Sequence, residues 1–154
     1  MKVLPLLVLA TLSTGCAGGA LAPSASEQSR LQQAVALIRS SPERLPFADE
    51  PLAAWFEARV SGVYINERHP EFDAYRERET GRIFVRADVT ERPIERLAST
   101  LLHEARHADM AHTCGLHDRS LEEWGAWAVQ AWFLERHGFE GDAVIIRDQK
   151  ICAH

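Results

Sequence analysis

The spacing of apolar residues changes character several times along this chain. Residues 3–12 form a mainly apolar run. Between 28 and 40, Leu31, Val35 and Ile38 recur at near-helical spacing and predict a first amphipathic helix, which Pro42 and Pro46 terminate. A short second helix is expected from about 51 to 60, with Trp55 and Phe56 as buried anchors. The period then shifts. Residues 60–65 are rich in β-branched and aromatic side chains beside Gly62, and Ile83, Val85, Ala87 and Val89 fall on one face at alternate positions. Period two marks a half-buried strand over 82–89. Thr80-Gly81 predicts a hairpin turn with 74–79 as the partner strand. Were the 83–89 strand a sheet edge, it could pair with an extended substrate.

Helical spacing returns at Thr90, read as an N-cap, with Glu91 and Pro93 suited to a first turn. Ile94, Leu97, Ala98, Leu101, Ala105 and Ala108 share one stripe of this helix. A last strong helix is expected over 120–137, closed by Gly138 at C′. Its Trp124, Trp127 and Trp132 are read as core. The Val144-Ile145-Ile146 run beyond it fits strand or helix equally. The fold class is therefore α+β: a mainly helical single domain over 28–154, with a small antiparallel sheet before the long helix. A chain of 154 residues suits one such domain. Its 17 basic and 22 acidic side chains give a net charge of -5, which argues against nucleic acid as a partner.

The opening run has a separate meaning. Lys2 precedes ten mainly apolar residues, a length that suits a signal peptide and is too short to span a bilayer. Small residues follow, so 1–22 reads as an export signal. Residues 12–16 resemble a bacterial lipobox, in which Cys16 would be lipidated and anchor the protein to the membrane. A conventional cut after Leu21-Ala22 is the rival. Either route delivers the protein to the bacterial periplasm or cell envelope, and 17–27 reads as a flexible tether. With Cys16 lipidated, Cys114 and Cys152 remain as a disulfide pair suited to an oxidising compartment.

The chemistry sits on the stripe-bearing helix, as His103-Glu104-Ala105-Arg106-His107. Histidines at i and i+4 lie one turn apart on one face, where both rings can reach one Zn²⁺. Glu104 projects about 100° round from His103 and flanks the metal as a general base toward metal-activated water. A third ligand is required, and His112, His117, Asp118, Glu122 and Glu123 are the candidates. Tyr64, Tyr75, His112 and His117 are candidate oxyanion donors.

Residues 100–107, with Glu123 beyond, resemble the zincin metallopeptidases, specifically the small gluzincins. In that family strands precede the HExxH helix and a following helix donates a Glu. The resemblance implies His103 and His107 as ligands and Glu104 as base. Thr100 matches a residue common three positions before the first His. The family's Glu followed three residues later by Ala selects Glu123 and Ala126. Three positions depart from the pattern: Arg106 is charged, Asp109 replaces a hydrophobic residue, and Trp127 occupies the place of a second-shell acid. The expectation is an exported zinc metallopeptidase acting on a peptide or protein. The alternative is a non-catalytic envelope lipoprotein, with a structural zinc or no metal, serving as an interaction module.

Overall fold

The computed structural model describes residues 24–66, 71–113 and 119–148. The export signal at 1–22, Cys16 and the Cys114–Cys152 pair lie outside them. Helix α1 (Ala25–Ser40) begins earlier than its apolar stripe, because Ser24 and Glu27 form a reciprocal capping box. Helix α2 (Leu52–Arg59) follows, then strands β1 (Gly62–Asn66), β2 (Ala74–Arg76) and β3 (Arg82–Arg86). Helices α3 (Ile94–Thr113), α4 (Arg119–Arg136) and α5 (Glu140–Asp148) complete an α+β fold. No helix among the described residues is long and apolar enough to cross a membrane.

The sheet runs in the order β1-β3-β2. The antiparallel pairing expected of the hairpin holds for β2 and β3, around Gly81 at φ 71°. The wholly antiparallel sheet does not: β1 pairs with β3 in parallel, making the sheet mixed. β3 is thus the central strand, so the expectation that it could be an edge open to substrate is corrected. The two edges are β1 and β2.

Two boundaries differ for local reasons. The strand expected to reach 89 stops at Arg86, where the chain winds into a 3-10 turn over Ala87–Glu91 that buries Val89. Within that turn Thr90 Oγ1 donates to Ala87 O at 2.6 Å, so Thr90 does not cap α3. Pro93 takes that place, its carbonyl accepting from Leu97 N at 3.0 Å. The ambiguous 144–146 run is helical, with Ala143 buried, Ile146 half-buried against Leu134, and Val144 exposed.

The core joins α1, the inner sheet face and α3. Leu31, Ile38, Trp55, Ile83, Val85, Leu97, Leu101 and Phe133 are fully buried in it. Each such side chain contributes about 1.5–3 kcal/mol of burial. Of the three tryptophans on α4, Trp132 is buried and Trp127 half-buried, but Trp124 is 61% exposed and lies outside the core. Helices α3 and α4 share a seam, and near the start of α4 Gly125 and Ala126 are both buried. That seam brings the start of α4 against the middle of α3.

Candidate metal centre

One turn of α3 separates His103 from His107, and their Nε2 atoms stand 3.3 Å apart. Glu123, near the start of α4, faces both rings: Oε2 is 3.3 Å from His103 Nε2 and Oε1 is 3.6 Å from His107 Nε2. Three ligand atoms about 2.0–2.1 Å from a common tetrahedral centre lie about 3.3–3.4 Å from one another. The donor set, two imidazoles and one carboxylate, also suits zinc. His103, His107 and Glu123 therefore fit one cation by spacing and by chemistry, and they are brought together as one potential metal-binding group. Of the other third-ligand candidates, His117 and Asp118 lie outside the described residues, as do the side chains of His112 and Glu122.

Glu104 sits beside this group and is only 8% exposed. Without metal, burial pushes its carboxyl up to about 7, and the charge of Glu123 adds to the rise. His103, a hydrogen bond from the Arg76 backbone amide and the Arg76 guanidinium pull the other way. A bound dication reverses this balance in favour of the ionised carboxylate. Glu104 is thus a carboxylate whose proton affinity depends on the neighbouring site.

The group opens into a cleft of about 440 Å³. Its facing wall is the β2 segment, through Phe72, Ala74, Tyr75, Arg76 and Arg78. Tyr75 therefore reaches the cleft, while Tyr64 stacks on Phe84 in the ring ladder Tyr64–Phe84–Tyr75, 43% exposed. Sequence reading missed Arg76. The usable signal was the alternation of Ala74 and Arg76 in a short strand flanked by Phe72 and Arg78.

Asp109, one of the departures from the gluzincin pattern, has a structural role. It accepts from Trp55 Nε1 at 3.0 Å, Arg59 Nε at 2.5 Å and Arg106 Nη1 at 2.7 Å. The charge of Arg106 is balanced there, with its guanidinium 4.1 Å from the Phe47 ring centroid. His103 Nδ1 is buried with no hydrogen-bond partner among the described residues. Metal-ligating histidines ordinarily donate that N–H to a second acceptor. No family model, curated protein or solved structure matches this chain.

Proposed function

We propose that this protein is a zinc-dependent hydrolase, a metallopeptidase in which His103, His107 and Glu123 hold the ion and Glu104 is the general base. The observation that carries this reading is the convergence of three ligand atoms at tetrahedral-edge spacing beside a buried carboxylate, at the floor of an open cleft.

A zinc ion held there would supply Lewis acidity, polarising a substrate carbonyl and acidifying water. Glu104 takes a proton from the attacking water and passes it to the leaving amine. The Arg76 backbone amide favours the ionised form of that carboxylate. The cleft has room for a short stretch of peptide, and Phe72 stands at its rim, 52% exposed. With the export signal read at 1–22, the substrate would be met in the bacterial envelope, with the enzyme anchored through Cys16.

An open site with a flanking base favours catalysis over a purely structural zinc, because structural zinc sites are closed by four protein ligands. Glu104→Gln tests the choice. In a hydrolase it retains zinc and lowers turnover of a peptide library by about 100-fold or more, the scale of general-base catalysis. A zinc-loaded wild-type protein that cleaves no peptide, and behaves identically to Glu104→Gln in every binding assay, contradicts the reading.

A further inference from the structure

Several arginines on this protein are paired with carboxylates: Arg39 with Glu57, Arg44 with Asp49, Arg96 with Asp142 and Arg136 with Glu43. Arg30 is held by the backbone oxygens of Thr90 and Arg92 instead, away from the cleft, and Arg76 is held in the same way but within the cleft wall. Its Nε and Nη2 lie 3.4 and 3.2 Å from the same backbone oxygen, Arg59 O. Among the described residues no carboxylate comes within ion-pair distance of it and its Nη1 makes no hydrogen bond. The side chain is half-buried in the wall of the metal cleft. Desolvation is the largest influence on it, lowering its pKa from the usual arginine range, while the charges of Glu104 and Asp109 act against this. A partly desolvated guanidinium with only a neutral carbonyl as partner is costly to keep, and its planar fork is suited to a carboxylate.

The surroundings favour the same ligand. Arg76 at the end of β2 and Arg78 in the turn that follows both line the cleft. Both guanidiniums thus line the cleft of a chain whose net charge is -5, and basic side chains in a cleft raise the local concentration of anions there.

Resting on the metallopeptidase reading, we infer that Arg76 is a specificity-determining residue that binds a carboxylate of the peptide substrate close to the scissile bond. The carboxylate is either an acidic side chain or the free chain end. In both cases it docks on Nη1 while Arg59 O holds the other edge of the guanidinium.

The test is direct binding to the zinc-loaded full chain, with zinc content measured on the same sample. Three peptidyl hydroxamates serve as probes, carrying an aspartate side chain, a free C-terminal carboxylate, or neither. One acidic probe should bind about tenfold or more tightly than the neutral one, as a charge-assisted hydrogen bond gives. Which acidic probe wins names the source of the carboxylate. Arg76→Gln, which keeps the backbone amide to Glu104, should abolish the preference without loss of zinc. Arg76→Lys, which keeps the charge, should retain part of it. Equal binding of all three probes to a zinc-loaded chain overturns the role of Arg76 alone, as does a preference that survives Arg76→Gln. A chain that holds no zinc overturns this inference together with the metallopeptidase reading, and the zinc measurement tells the two failures apart.

Discussion

The Asp109 carboxylate accepts a hydrogen bond from the Trp55 indole at 3.0 Å, across 54 residues of sequence. Trp55 is fully buried on α2, and Asp109 follows His107 by two residues on α3. The same carboxylate takes Arg59 and Arg106, so one acidic group clamps α2 to the metal-bearing helix. Removing it strands a buried indole N–H and the Arg106 guanidinium, and leaves Arg59 with only Trp55 O and Glu50. Asp109→Ala is expected to destabilise the protein by about 2–4 kcal/mol, visible in urea unfolding. Asp109→Asn, which keeps an acceptor, should cost less. An Asp109→Ala chain as stable as wild type would show that the clamp contributes nothing.

Glu123 is placed to complete the metal site, and Glu123→Ala should weaken zinc binding by more than about 100-fold, since even outer-shell losses cost about 10–100-fold. The fold should persist, because Glu123 is 43% exposed and the α3–α4 seam is built from Ala126, Val129 and Phe133. A competitive chelator titration reads the change. The same substitution at Glu122 should leave affinity near wild type, and the opposite ranking would move the third ligand to Glu122.

Metal-free protein should lose stability as pH rises through the Glu104 titration. A carboxyl that holds its proton more tightly when folded favours the fold at low pH, here with 4.5 as the ordinary value and about 7 in the folded chain. The contribution is complete below about 4.5, declines between there and about 7, and is gone above. Its size is up to about 3 kcal/mol. Glu104→Gln should flatten this slope and be the more stable protein at pH 8. Zinc should reduce the slope by favouring the ionised form. Denaturant midpoints across pH 4 to 8, with and without zinc, check each statement, and identical slopes for wild type and Glu104→Gln would refute the first.

The helical half of the molecule was legible because helix period and burial coincide. Leu97, Leu101 and Ala105 recur at 3–4 residue spacing and are all fully buried. His103, Glu104 and His107 could be placed relative to one another for the same reason, since the geometry of one helix turn is fixed. The pairing of Glu123 with them was legible only through a family pattern, because nothing local sets the distance between α3 and α4.

Elsewhere local pattern was insufficient. The parallel pairing of β1 with β3 joins residues 20 positions apart, Gly62 with Arg82, and no turn motif announces it. Val144-Ile145-Ile146 satisfies both periods over so short a run, and packing of Ala143 and Ile146 against α4 decides it. Trp124 looked like core because its type is usually buried, but it follows Glu123 directly and lies on a solvent-facing part of α4. Arg76 gave no signal of its own: its meaning comes from the edge position of β2 beside Glu104.

The central claim is that His103, His107 and Glu123 hold one zinc ion. Elemental analysis of the purified chain, alongside His103→Ala, tests it most directly. The account predicts one zinc per chain in the wild type and none in the variant. A folded wild-type protein that takes up no zinc when it is offered, or zinc retained in full by His103→Ala, would contradict it.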